Sequence, residues 1–207
     1  ELMYSMPKGL TAATGMAALT HAIESYITPG AWVMSDMFEL KAIEMIAQNL
    51  KAAVDNGKDV AAREAMSQAQ YIAGMGFSNV GLGIVHSMAH PLGAFYDTPH
   101  GVANALLLPY VMEYNAESPA APKYIHIAKA MGVDTTGMSE AEGVKAAIEA
   151  VKALSISINI PQKLHEINVK EEDIPALAVA AYNDVCTGGN PRPTSVADIE
   201  ALYHKAF

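Results

Sequence analysis

The sequence contains a single cysteine, Cys186, one tryptophan, few charges and no run of basic residues. One thiol excludes an internal disulfide framework and fits a reducing cytoplasm. Acidic side chains outnumber basic ones, 22 to 13, for a net charge of −9. That balance argues against nucleic acid or an anionic membrane as partner. The longest apolar stretches, such as residues 102–109, are too short to span a bilayer, and no segment reads as a signal peptide. Period-two alternation of β-branched residues is missing, so no sheet is expected. Internal repeats and low-complexity tracts are missing as well. So is a nucleotide-binding loop. The nearest glycine pairs, Gly74-Met-Gly76 and Gly81-Leu-Gly83, lack a third glycine at the required spacing and follow no strand. They read as helix-packing or turn glycines. The chain opens on Glu1 rather than Met, so a fragment or a processed product is expected.

What is present is apolar and helical. Hydrophobic residues make up 51% of the 207 and charged residues 17%, the balance of a packed globular protein with a substantial core. Ala, Met, Leu, Glu and Lys dominate, and apolar positions recur with helical period. Helices are expected over about 9–26, 35–56, 60–77, 81–95, 99–114, 119–131, 139–156, 171–182 and 195–206. Ser35-Asp36 with Glu39 three to four residues on resembles a capping signal for the second of these. The acidic run at 171–173 suits a helix start. The twelve methionines are expected to fill gaps in the core. The fold class is therefore all-α, a single multi-helix bundle domain of about nine helices covering 1–207.

Four of the seven histidines are placed for a common task. His86 and His90 lie four apart, on one face of a helix. His100 follows a proline at the mouth of the next helix, within reach of a tight turn. His21 stands inside an apolar helix, where an unpartnered polar group is costly. Imidazole is the commonest side-chain metal ligand and the natural acid/base at neutral pH, and the apolar, glycine-rich setting points to a buried site. Spacing alone leaves two readings open, a metal centre or hydrogen-bonded histidines. His126, His165 and His204 sit among polar residues and read as surface histidines. Cys186, with no histidine beside it in sequence, reads as a packing or pocket residue.

The segment Gly74-Met-Gly-Phe77-Ser-Asn-Val-Gly-Leu-Gly-Ile-Val-His86-Ser-Met-Ala-His90-Pro-Leu-Gly-Ala-Phe-Tyr-Asp-Thr-Pro-His100-Gly-Val-Ala-Asn104 resembles the histidine signature of the iron-containing (group III) alcohol dehydrogenases. Asp184-Val-Cys186-Thr-Gly-Gly-Asn-Pro-Arg192 and Leu10-Thr-Ala-Ala-Thr-Gly15 through His21-Ala-Ile-Glu24 fit the subgroup acting on lactaldehyde and 1,2-propanediol. The resemblance covers the whole chain but only the C-terminal helical half of such enzymes, the dehydroquinate-synthase-like domain. It implies a divalent metal, Fe²⁺ or Zn²⁺, held by one Asp and three His, the histidines matching His21, His86 and His100. It implies that His90 lies near the nicotinamide of NAD and relays protons, and that Phe77 and Cys186 line the substrate pocket. The implied reaction interconverts a small primary alcohol or diol and its aldehyde. The implied partner is an N-terminal nucleotide-binding α/β half, absent from this chain.

The family's ligand motif places Asp and His four apart, and here it reads Gly15-Met16-Ala17-Ala18-Leu19-Thr20-His21. Ala17 cannot ligate. Three neutral imidazoles suit Zn²⁺ with a water better than Fe²⁺, which ranks lower in intrinsic affinity. By itself the chain is expected to be inactive, and without its partner half it is expected to self-associate through exposed apolar surface. Competing readings are a catalytically silent helical domain with a degenerate metal site, a zinc-dependent glycerol dehydrogenase relative and a metal-dependent lyase of the dehydroquinate synthase group.

Overall fold

The computed structural model describes residues 2–207. Among them run nine α-helices: α1 (Lys8–Ile27), α2 (Val33–Asp55), α3 (Val60–Val80), α4 (Ile84–Tyr96), α5 (His100–Asn115), α6 (Tyr124–Ala130), α7 (Glu140–Ser157), α8 (Ile174–Tyr182) and α9 (Val196–Ala206). No strand occurs among the described residues, as the lack of period-two patterning predicts. Helices α1, α2 and α3 pack on one another, α5 crosses α1 and α4, and α8 joins α4 to α9. None of the described helices is long and apolar enough to cross a membrane.

Helix boundaries depart from the expected ones where capping chemistry decides. Helix α2 starts at Val33, two residues before the expected cap. Ser35 sits inside its first turn, and its hydroxyl accepts a hydrogen bond from the backbone N–H of Trp32 at 2.9 Å. Helix α3 runs on to Val80 and ends at Gly81, whose φ of +87° favours glycine. Helix α4 begins after Gly83 rather than at Gly81. Helices α6 and α8 are each preceded by a 3₁₀ turn, Ala121–Lys123 and Glu171–Asp173. Ser139 and Ser195 cap α7 and α9 as reciprocal boxes with Glu142 and Asp198.

One continuous core runs through the bundle. Met16, Leu19 and Ile23 of α1 meet Ile43, Ile46 and Leu50 of α2, with Met88 and Leu92 of α4 and Leu106 of α5 buried in the same cluster. Each such side chain contributes roughly 1.5–3 kcal/mol by leaving water. The methionines fill the core only in part. Met16, Met88 and Met112 are buried, whereas Met34 and Met37 are exposed at the start of α2, beside exposed Trp32 and Val33.

Two close approaches fix the parts of the fold that carry the histidines. At Gly101 a methyl group would lie 2.3 Å from the carbonyl oxygen of Ala13, so the first turn of α5 rests on the backbone of α1. At Gly189 a methyl group would lie 2.0 Å from the carbonyl oxygen of Leu82, so the loop carrying Cys186 is seated on the turn before α4. The amides of Asn115 and Asn190 bond reciprocally at 2.9 and 2.8 Å, tying that loop to the end of α5. Gly101→Ala is expected to push α1 and α5 apart and to destabilise the fold by about 1–3 kcal/mol, the usual cost of overpacking. An unchanged urea midpoint would show that the contact relaxes freely.

Candidate metal centre

Three helices bring His21, His86 and His100 together. His21 projects from the middle of α1, His86 from the first turn of α4, and His100 opens α5. The rings of His21 and His86 stack with centroids 4.5 Å apart, and those of His86 and His100 lie 5.3 Å apart. One nitrogen from each ring falls within 4.8 Å of the others. Among the sequence-expected residues, these three converge.

The surroundings hold the rings in ligating form. Burial and the neighbouring imidazoles His86 and His100 push the pKa of His21 down to about 3. Burial, His86 and His90 also lower that of His100. Metal ligands must be deprotonated, so neutral imidazoles are ready donors. His86 is buried and donates its Nδ1–H to Glu24 Oε2 at 2.5 Å. Its Nε2 is thereby left as the acceptor, since a metal-binding histidine is oriented by such a bond on its other nitrogen. Glu24 is itself buried and also accepts the backbone N–H of Val85 at 2.6 Å. The side-chain amide of Asn104 donates to Nε2 of His86 at 3.2 Å and of His100 at 2.9 Å. Both lone pairs are thereby engaged by the Asn104 amide, which would have to turn aside for the two nitrogens to take an ion. The Oδ1 of Asn104 is buried without a partner.

The donor set fits a divalent cation with three protein ligands and an open position. Its weakness is the side facing Ala17. The Ala17 methyl lines the same cavity of about 670 Å³ as His21, Phe77 and His100, and no carboxylate is among the lining residues. The expected burial of the cluster holds for His86 alone. His21 is half-buried, and His90 in the middle of α4 and His100 at the start of α5 are exposed.

The remaining expected residues divide between two places. Phe77 stacks on His21 with centroids 4.5 Å apart and forms an apolar wall of the cavity. His90 and Cys186 do not line it. His90 stacks on His100 at 5.5 Å and bonds through Nδ1 to Asp184 Oδ2 at 2.7 Å. Cys186 thus has a histidine beside it in space although none is near in sequence. Its thiol is pushed up to about 12 by burial, Asp184 and Glu24, which excludes a thiolate nucleophile at neutral pH. His126, His165 and His204 are exposed, as expected.

Sequence reasoning missed Glu24, Asn104, Asp184 and Glu39. Glu24 carried a signal, a lone charge three residues after His21 in an apolar helix. Glu39 of α2 is fully buried, and its Oε1 lies 2.6 Å from Ser25 Oγ, which donates to the carbonyl oxygen of His21 at 2.5 Å. Burial, with a smaller push from Asp36, raises its pKa to about 8 against the opposing Ser25 hydrogen bond. Glu39 is a neutral acid at pH 7, braced behind the histidine helix. Glu24→Gln is expected to lower divalent-metal affinity by roughly 10- to 100-fold, the usual loss for such outer-shell partners. Competition with a metallochromic chelator measures it, and an unchanged affinity would remove Glu24 from the site.

Fold and cluster together define an all-helical domain with a candidate divalent-metal centre. The sequence comparison supplies the family: residues 11–207 match the Fe-containing alcohol dehydrogenase family, C-terminal, and the chain belongs to it. It is 58% identical over 207 residues to lactaldehyde reductase of Escherichia coli, covering all of this chain and 53% of that protein. It is 47% identical over 206 residues to 1,3-propanediol dehydrogenase of Klebsiella pneumoniae, again covering 53% of it. The solved structure of a 1,3-propanediol oxidoreductase superposes with a TM-score of 0.98 at 47% identity, covering all of this chain and 54% of that one. An alcohol dehydrogenase from Oenococcus oeni gives 0.97 at 41%, with the same coverage. The chain thus spans about half the length of the relatives it matches.

Proposed function

We propose that residues 1–207 form the metal- and substrate-side domain of an NAD-linked dehydrogenase interconverting a small primary alcohol or diol, of the 1,2-propanediol type, and its aldehyde. The observation that carries this reading is the convergence of three imidazoles, one oriented by the buried Glu24, beside an apolar cavity of about 670 Å³. Membership of the Fe-containing alcohol dehydrogenase family supports it.

His21, His86 and His100 would hold the cation, Fe²⁺ or Zn²⁺. When bound, the cation supplies Lewis acidity toward an alcohol or carbonyl oxygen and the nicotinamide of NAD supplies the hydride acceptor. Phe77, Met66 and Ala18 on the cavity wall exclude water and favour a short aliphatic substrate. His90 is the proton carrier. Asp184 takes its Nδ1–H and leaves Nε2 free to accept a proton, and the exposed ring hands that proton to solvent. Cys186, half-buried beside His90, lies outside that cavity.

The nucleotide site lies on an N-terminal α/β half outside this chain, and the reducing cytoplasm suits the lone thiol. Alone, the chain self-associates through exposed apolar residues such as Trp32, Val33 and Met37. Ala17, where a carboxylate would complete the ligand set, favours a second reading in which the domain is folded but catalytically silent. The decisive experiment fuses this chain to the nucleotide-binding half of the E. coli relative, with Ala17 and with Ala17→Asp, and follows propanediol-dependent NADH formation. Turnover in both fusions supports the dehydrogenase reading. Turnover only with Ala17→Asp supports the silent domain, and turnover in neither overturns the assignment.

A further inference from the structure

Behind the three-histidine cluster lies a second group of ligating side chains that shares no residue with it. His90 comes from the middle of α4, while Asp184 and Cys186 come from the loop after α8. One ligand atom from each, an imidazole nitrogen, a carboxylate oxygen and the sulfur, lies within 4.8 Å of the other two. We propose that His90, Asp184 and Cys186 form a second cation site, selective for a thiophilic divalent ion such as Zn²⁺.

Three features argue for a built site rather than a chance encounter. The first is rigidity. Asp184 is pinned on both oxygens, Oδ1 accepting the backbone N–H of Cys186 at 2.8 Å and Oδ2 bonding His90 Nδ1 at 2.7 Å. The loop itself is locked by the Gly189 approach to Leu82 and by the bond from Thr187 Oγ1 to Ser87 Oγ at 2.8 Å. The second is access. The His90 side chain is 42% exposed and that of Asp184 17%, so a hydrated ion can enter and keep a water as fourth ligand. The third is chemistry. One nitrogen, one oxygen and one sulfur donor plus water make a tetrahedral set suited to zinc, and thiolate selects soft ions over Mg²⁺ or Ca²⁺.

The two centres differ in charge and hence in behaviour. Three imidazoles bring none, whereas the second site, once its thiol ionises, brings two negative charges. The thiol proton leaves as the cation binds. A thiol must lose its proton to ligate, so occupancy rises with pH. Occupation also removes His90 from proton transfer, which makes zinc in excess an inhibitor of any reaction that uses that ring.

Cobalt(II) reads the site directly, because a thiolate–Co²⁺ bond gives an intense near-ultraviolet charge-transfer band and three imidazoles do not. With Cys186 the single thiol of the chain, titrating it with Co²⁺ at pH 8 is expected to produce this band and to release one proton for each ion so bound. Cys186→Ser should abolish the band, Asp184→Asn and His90→Ala should each weaken binding at least 10-fold, and His21→Ala should leave it intact. A chain saturated with Co²⁺ without the band overturns the proposal. A band that survives both His90→Ala and Asp184→Asn overturns it too, since it would report a lone thiol. Loss of the band in His21→Ala, with helical circular dichroism retained, would show a single mixed centre and overturn it as well.

Discussion

Ala17→Asp is expected to convert a weakly binding domain into one that retains one divalent cation per chain through dialysis. Residues 17 and 21 lie one turn apart on the same face of α1, and both line the cavity that His100 also reaches. A carboxylate at 17 adds the anionic donor that three imidazoles lack. Residues that only orient a ligand change metal affinity by about 10- to 100-fold, so a group that touches the ion should gain at least about 100-fold. Fe²⁺ benefits more than Zn²⁺, because an oxygen anion favours the harder ion and Zn²⁺ is already served by three histidines. With metal at a hundredfold excess over its Kd, the variant gains about 2.7 kcal/mol of stability. In chelator the sign reverses, since the new carboxylate is buried without a partner. Elemental analysis after dialysis and melting with and without Zn²⁺ test both halves. Equal metal retention by the two chains would mean that the face at 17 does not look onto the cluster.

Glu39→Gln is expected to stabilise the protein strongly at neutral and alkaline pH and hardly at all below pH 4.5. Burial holds the folded-state pKa of Glu39 at about 8, against an ordinary value of 4.5. Between those values the folded chain keeps a proton that the unfolded chain has released, so stability falls as pH rises and levels off above 8. At 1.36 kcal/mol per pH unit, the cost to the parent chain at pH 8 is on the order of 4 kcal/mol. The amide that the substitution introduces carries no such cost and can still hydrogen-bond to Ser25. His21 acts oppositely. Its lowered pKa of about 3 makes stability fall as pH drops below 6.5, because the unfolded imidazole then takes up a proton. The difference between the two proteins, not either curve alone, isolates Glu39. Urea midpoints at pH 4.5, 6.5 and 8.5 in chelator measure it. Parallel curves would show that Glu39 is ionised in the native state.

These two residues mark the limits of what the sequence discloses. The helices were legible because their apolar period is a local signal, although Gly81 was read as the start of the fourth helix and not as the end of α3. The His86/His90 pair was legible for the same reason, being four apart on one helix. His21 and His100 were joined to them by their settings, an apolar helix and the mouth of the next one, and only the family resemblance made His21, His86 and His100 a ligand set. Partners contributed by distant segments were not legible. Glu24 meets His86 across 62 residues, Asp184 meets His90 across 94, and Asn104 bridges two rings from the next helix. Glu39 misled outright, since at the third or fourth position after Ser35 it looks like a capping acid, whereas the helix starts earlier and turns that carboxyl inward. The expected burial held for His86 alone, because a helix can carry a residue in an apolar stretch and still turn its side chain to solvent. His90 and His100 do so.

The contact between Gly101 and the carbonyl of Ala13 bears on how such a centre survives sequence drift. His100 is the neighbour of Gly101, and His21 lies two turns along α1 from Ala13. The separation of their rings is gauged by one backbone resting on another, with no side-chain volume in between. Core residues can be exchanged around that contact without resetting the distance. Solved relatives that differ from this chain at more than half of their aligned positions still superpose with TM-scores of 0.97–0.98. A domain gauged in this way is free to vary the walls of its cavity while the spacing of its imidazoles stays constant.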